Sequence, residues 1–372
     1  MKKIAVIGAN EPLEHFYKQA KDLGYYIVGI AWAEGVSCLK YCDVFYPVSF
    51  SEKDKVLEIC IKEKIDGIIS FSLESALPTL IYVAQKMGLV SNSTENLERL
   101  SNKFTMREWL NKAGISNPKY VTTSNVKDLN NITIPFPCIV KPIDSGGSQG
   151  VTMVYNKVEL NTAFTRAFGF SKSGNVIIEE YIDGREFSVE YLSYQGKHYN
   201  IQITDKVTSG EPYFVELQHH QPADISEKLH DRICNLVEHA LTALCVENSA
   251  SHTELKLNSR NELYIIEIGA RLGGDYITSD LVRLSTDYDM VKGALEIATG
   301  TFVPLVISNK HFSGVYFYSS ITPEIKKYID NAQEYPFIIE AFRHEKEIQE
   351  CKRNGDRNGH ILYQADKKII LQ

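Results

Sequence analysis

A chain of 372 residues, 44% hydrophobic and 23% charged, is too long for one ordinary core and too apolar for a disordered or collagen-like polymer, so two or three globular domains are expected. A formal net charge of -7 with no long basic run argues against nucleic acid or an anionic membrane as the main partner. Seven scattered cysteines without a CxxC pair, no cleavage-type site after the short apolar start, and no apolar stretch long enough for a bilayer together fit a reduced, cytoplasmic protein.

In chain order, residues 3–8 (KIAVIG) read as a buried parallel strand ending at Gly8, followed by a helix from about Glu11 to Leu23. YYIVGIAW and KIDGIISF read as further strands, and PTLIYVAQKMG as a helix closed by Gly88. Strands alternating with helices predict a doubly wound α/β unit over residues 1–100. Its first turn, Gly8-Ala9-Asn10, lacks the G-x-G-x-x-G fingerprint of a dinucleotide site. SNKFTMREWLNKAG reads as a helix with Ser101 as N-cap and Gly114 as terminator. Strands FPCIVKP and VTMVYN follow, with a helix near residues 157–170, then NVIIEEYI and REFSVEYLS, joined through Asp183-Gly184. A long helix is expected from Ile225 to Leu244, then strands SHTELKLN and ELYIIEIG and a helix starting near Gly274-Asp275. The last stretch, 306–372, holds strand-like FSGVYFYS and GHILYQ and reads as a small lid or sheet extension.

Three constellations carry chemistry. Lys141 ends a strand, and the loop Asp144–Gly150 after it contains Ser145, Gly146, Gly147, Ser148 and Gly150. Glycines let backbone N–H groups approach phosphate oxygens, although a plain hairpin would look alike. In VIIEEYIDGREFSVE, Glu179 or Glu180, with backbone groups near Tyr181 and Ile182, could hold an adenine, and Glu186 a ribose; a solvated sheet face is the alternative. Alternation places Glu186, Ser188 and Glu190 on one face.

The third constellation is HTELKLNSRNELYIIEIGARLGG. A hairpin symmetric about Arg260-Asn261 sets Glu254 opposite Glu267, and two facing carboxylates repel unless a cation lies between them. Mg²⁺, with Mn²⁺ as the alternative, suits such a pair. The same alternation puts His252, Lys256 and Gly269 on the metal face and Leu255, Leu257, Tyr264 and Ile266 in the core. Arg271 then sits where it could clamp a carboxylate or an oxyanion, and Gly273-Gly274 before a helix favour an anion. His219-His220 lack a third histidine at ligand spacing, so zinc is not expected there; His220 is a candidate for a substrate-covering loop.

The ordered set Lys103, Lys141, the glycine-rich loop, EEYIDGREFSVE, then the paired glutamates and Arg271 resembles the ATP-grasp superfamily over most of the chain, to about residue 305. That resemblance implies an α/β fold, α+β in parts: an N-terminal domain (1–100), an ATP-grasp domain (101–305, with a lid at 120–185) and a small C-terminal segment (306–372). It implies that Lys103, Lys141 and Lys206 contact phosphates of ATP, that Glu254 and Glu267 hold Mg²⁺, and that a homodimer forms through the first domain. HTELKL with IEIGARLGGD is most similar to the L-amino-acid ligase branch, which implies small-molecule carboxylate and amine substrates joined through an acyl phosphate. Arg271, Gly273 and Gly274 would face the substrate. One departure stands out: where many members carry Asn two residues after the second metal glutamate, this chain has Gly269. A bicarbonate-phosphorylating enzyme and a non-catalytic nucleotide-binding module are the competing expectations.

Overall fold

The computed structural model describes residues 1–145, 149–304 and 306–371. The first sheet is parallel, with β1 (Lys3–Ile7), β2 (Tyr26–Ala31), β3 (Val44–Pro47) and β4 (Gly67–Ile69) in the order β3-β2-β1-β4. Apolar residues on both faces of β1 and β2 explain why helices cover it on both sides. A second, antiparallel sheet holds β5 (Tyr120–Thr123), β6 (Cys138–Pro142), β7 (Thr152–Val154) and β8 (Val176–Glu180), ordered β5-β8-β6-β7. The helix Lys157–Phe170 packs its Leu160, Ala163, Phe164 and Ala167 against this sheet.

The third sheet has eight strands: β9 (Arg185–Tyr194), β10 (Lys197–Thr208), β11 (Glu216–Gln221), β12 (Ser249–Leu257), β13 (Leu263–Gly269), β14 (Phe312–Tyr318), β15 (Ile338–Arg343) and β16 (Gly359–Ala365). Their order is β13-β12-β9-β10-β11-β14-β16-β15, so the C-terminal strands extend the sheet that begins at β9 through the β11–β14 ladder. One face of the sheet is closed by the helix Glu227–Ala243, which has Ser226 as its N-cap. The helix Met290–Ala298 buries Val291, Ala294 and Leu295 against β1 and β2 residues on one side and Leu192 and Ala250 on the other, welding the first sheet to the third. Among the described residues no helix is long and apolar enough to cross a membrane.

Two boundaries differ from expectation. Ser101 is not an N-cap: it ends a short helix, Leu97–Ser101, and its hydroxyl donates to Leu97 O. Asn102 caps the following helix, Lys103–Lys112, accepting from the N–H groups of Phe104 and Thr105. Likewise no helix starts at Gly274-Asp275. Asp275 and Tyr276 both have positive φ (50° and 67°), and a π-type turn begins only at Ile277.

Candidate active site

Glu254 does lie directly opposite Glu267. The hairpin reaches that register by a route the sequence did not reveal. The loop between the strands pairs Leu257 with Leu263, one residue off the expected symmetry, and a bulge at Ile266 restores it before Glu267. The bulge also changes which residues enter the core. Leu263, Ile265 and Ile268 are buried there, whereas Tyr264 and Ile266 are only half-buried and Ile266 forms part of the cavity wall.

The bulge is held by Arg107, a side chain with no solvent exposure. Its Nη1 donates to Ile265 O (3.2 Å), its Nη2 to Ile266 O (2.5 Å) and its Nε to Glu179 Oε1 (2.9 Å). Glu179 gives its other oxygen to Lys141 Nζ at 2.7 Å. Burial alone would favour neutral Glu179, yet the Arg107 and Lys141 charges hold its carboxyl down at about 2. One buried chain of charges therefore ties Lys141 to the backbone that presents Glu267. Of the two candidate adenine acceptors, Glu179 is thus committed to cations, and Glu180 accepts from the Lys119 N–H through one oxygen.

The two glutamates are already met by ammonium groups. Lys103 Nζ lies 2.8 Å from Glu267 Oε1 and also donates to Ser145 O, while Lys206 Nζ lies 2.6 Å from Glu254 Oε1, 2.7 Å from Glu216 and 3.2 Å from Glu186. Burial opposes the charge on Lys206, but Glu216, Glu254 and Glu186 hold its pKa well above the ordinary value. Burial likewise opposes ionisation of Glu267, and Lys103 and Lys141 lower its pKa. Beside them His252 Nδ1 contacts Glu190 Oε1 at 2.7 Å; burial works against its charge, and the Glu190 carboxylate raises its pKa to about 9.

Apart from Arg107 and Glu190, these groups line one cavity of about 460 Å³ between the second and third sheets. Pro118, Ile139, Ile182, Phe214 and Ile266 give it an apolar end, beside which Lys256 Nζ lies 4.9 Å from the Tyr181 ring centroid. At the other end stand Arg271, Gly274 and, from the first domain, Ser72 and Glu74. Burial and the nearby Glu267 charge raise the pKa of Glu74. A Cβ at Gly269 would lie 3.2 Å from Arg271 Nε, so the glycine leaves room for the arginine to fold over it, bringing Nη2 to 3.9 Å from Glu74. Gly273 is needed for close packing: a Cβ there would lie 2.7 Å from His252 Nδ1.

The structure thus gathers Lys103, Lys141, Ser145, Glu179, Glu180, Tyr181, Ile182, Glu186, Lys206, Glu254, Glu267, Arg271 and Gly274 around one space, with Gly273 just behind it. Gly150 packs on the Phe170 ring, and Asp144 pins the base of its loop to the N–H groups of Lys172 and Ser173. Gly146, Gly147 and Ser148 lie outside the described residues. His220 is a correction. It is buried on the opposite face of the sheet, bonded to Tyr363 OH (2.8 Å) and Gln218, and burial together with the Lys368 charge lowers its pKa to about 3. Its neighbour His219 shares the face of Lys206, its register partner. Glu74, Arg107, Glu216, Asp275 and Asn354 escaped the sequence reading. The one hint was a lone charge in apolar surroundings, as for Glu74 in ISFSLESALP.

A family model described as an ATP-grasp domain matches residues 134–280, the stretch that carries Lys141, Lys206 and both opposed glutamates. That stretch, less than half of the chain, is similar to ATP-grasp domains. A likeness of fold to solved structures extends over nearly all of the chain. The crystal structure of an L-amino acid ligase from Bacillus licheniformis superposes with a TM-score of 0.85 at 24% identity, covering 99% of this chain and 94% of that one. An ADP complex of N5-carboxyaminoimidazole synthetase from Staphylococcus aureus gives 0.80 at 17% identity, covering 98% and 94%. In sequence the chain is 26% identical over 230 residues to alanine–anticapsin ligase of Bacillus subtilis, covering 55% of this chain and 48% of that protein. The chain spans about half the length of the first curated relatives it matches.

Proposed function

We propose that this protein is an ATP-dependent ligase of the ATP-grasp type that joins a carboxylate to an amine through an acyl phosphate, with an amino acid as one substrate. The observation that carries this reading is the pair Glu254–Glu267, directly opposed and facing a cavity that also presents Lys103, Lys141 and Lys206. The donor set fits Mg²⁺ or Mn²⁺: carboxylate oxygens that at present need ammonium groups to offset their repulsion. Glu254 and Glu267 would hold the ion, and bound there it would neutralise charge on the phosphates. Gly269 supplies no ligand atom, so further positions fall to water and phosphate oxygens.

The apolar end between Ile139, Ile182, Phe214 and Ile266 suits an adenine, and Glu186 the ribose. Lys103 and Lys141 line the path from there to Glu267 and would hold the phosphates by charge. A substrate carboxylate oxygen attacks the γ-phosphorus, the bond to the bridging oxygen breaks and ADP leaves. The amine nitrogen then attacks the acyl carbon and loses a proton, and phosphate departs with the former carboxylate oxygen. Arg271, at the Glu74 end of the cavity, stands where it can pair with a substrate carboxylate or the tetrahedral oxyanion. No covalent enzyme nucleophile is required. The similarity to alanine–anticapsin ligase supports the amino-acid assignment. The test is ADP release screened over pairs of amino acids, with mass detection of the product. A condensed product with one ADP per bond is expected. ADP release that needs bicarbonate and no amino acid would overturn the assignment.

A further inference from the structure

The strand β11 carries a bulge of its own. Thr208 pairs with Glu216 and Val207 with Gln218, leaving Leu217 as the extra residue. Glu216 and His219, three apart, are therefore turned to the same side, that of Lys206. Asp275, beyond the C-terminal end of β13, joins them as the first of the two positive-φ residues noted above, a conformation that costs residues other than glycine some strain. That conformation is held from the C-terminal segment: Arg357 Nη2 lies 2.6 Å from Asp275 Oδ1 and its guanidinium 3.7 Å from the Phe317 ring centroid. Asn354 Oδ1 accepts the Glu216 N–H at 3.0 Å.

One ligand atom from each of Glu216, His219 and Asp275 falls within 4.8 Å of the others. The His219 ring has no solvent exposure, and neither of its nitrogens makes a hydrogen bond among the described residues. Its Nε2 stands 3.2 Å from Glu216 Oε2, within ion-pair distance. A buried ring nitrogen without a hydrogen-bond partner is unfavourable. Two carboxylates converge on that ring. Lys206 takes Glu216 Oε1 and Arg357 takes Asp275 Oδ1, so each carboxylate is anchored from one side.

We propose that Glu216, His219 and Asp275 form a site for a divalent first-row transition metal, separate from the Glu254–Glu267 pair. The donor set of one imidazole nitrogen and two carboxylate oxygens suits Mn²⁺, Co²⁺ or Zn²⁺ better than Mg²⁺, which prefers oxygen alone. A metal here accepts the Nε2 lone pair and offsets the repulsion between the two carboxylates. Lys206 divides this site from the phosphate-side pair, with Glu216 at 2.7 Å and Glu254 at 2.6 Å from the same ammonium. Glu216 and Asp275 also line the cavity, so the remaining coordination positions open towards a bound substrate. The sequence reading set zinc aside for want of a third histidine; the fold supplies carboxylates instead.

The test uses the full chain without nucleotide and needs no turnover, so its failure leaves the ligase proposal untouched. Co²⁺ is titrated and followed by visible absorption and calorimetry. The expected result is a binding event that weakens at least tenfold in His219→Ala and in Asp275→Asn and persists in Glu267→Gln. Should either of the first two variants fail to fold, the unmutated chain decides. Zn²⁺ at saturation should shift the Nε2 nitrogen resonance of His219. Co²⁺ binding unchanged in His219→Ala, or a His219 resonance unmoved by Zn²⁺, overturns the proposal and leaves the cluster to a cationic group of a substrate.

Discussion

Replacing Arg107 by methionine probes the link between Lys141 and Glu267. The guanidinium makes one charged hydrogen bond to Glu179 and two bonds to the bulge carbonyls of Ile265 and Ile266, all without solvent contact. Removing one partner of a buried pair costs about 3–5 kcal/mol when the other charge is stranded. Here Lys141 still holds Glu179 at 2.7 Å, so the loss should fall at the lower end, about 3 kcal/mol. Glu179→Gln leaves two cations facing each other without their anion and should cost more, about 4–5 kcal/mol. The double variant should be less destabilised than the sum of the singles by about 1–3 kcal/mol. Urea unfolding of the four proteins at pH 7 measures all of this. Because the bulge sets Glu267, Arg107→Met should also raise the Mg²⁺ concentration needed for nucleotide binding. A stability within about 0.5 kcal/mol of the parent, or additive single effects, would refute the reasoning.

Other substitutions test separate contacts. Glu267→Gln should abolish ADP formation with little change in circular dichroism; undiminished turnover would count against the metal assignment. Gly273→Ala drives a methyl group to 2.7 Å from His252 Nδ1 and 3.1 Å from Glu190 Oε2, so a melting study should show a loss of about 1–3 kcal/mol. Gly269→Asn crowds Arg271 Nε, already 3.2 Å from where the Cβ would lie, and should lower turnover rather than improve it. His252 has its pKa raised from 6.5 to about 9. Its contribution is complete below pH 6.5 and is lost as pH rises through about 9, with an upper bound of about 3 kcal/mol. Unfolding midpoints should therefore fall across that window more steeply in the parent than in His252→Gln, where the buried thiols such as Cys38 and Cys60 still contribute a decline.

The opposed glutamates were legible because strand alternation and a turn centre fix which residues face each other, and the register at Glu254 survives the bulge. What alternation could not foresee was the bulge itself, which is why Ile266 was assigned to the core and lies in the cavity wall. The same limit hid the partnership of Glu216 with His219, since a period of two sets residues three apart on opposite faces. A histidine pair gives no sign of which ring points into the site, and it is His219, not His220, that shares the face of Lys206. Arg107 could not be read from its helix, for its partners come from residues 179, 265 and 266. The C-terminal segment carried no chemical motif, yet Asn354 and Arg357 reach the cavity edge, because the β11–β14 ladder carries β14–β16 up to that wall.

The metal-dependent nucleotide site is tested most directly by calorimetry of ADP binding with and without Mg²⁺, in the parent chain and in Glu254→Gln/Glu267→Gln. Mg²⁺ should tighten ADP binding at least tenfold in the parent and leave the double variant unchanged. Equal enhancement in both proteins would contradict the account.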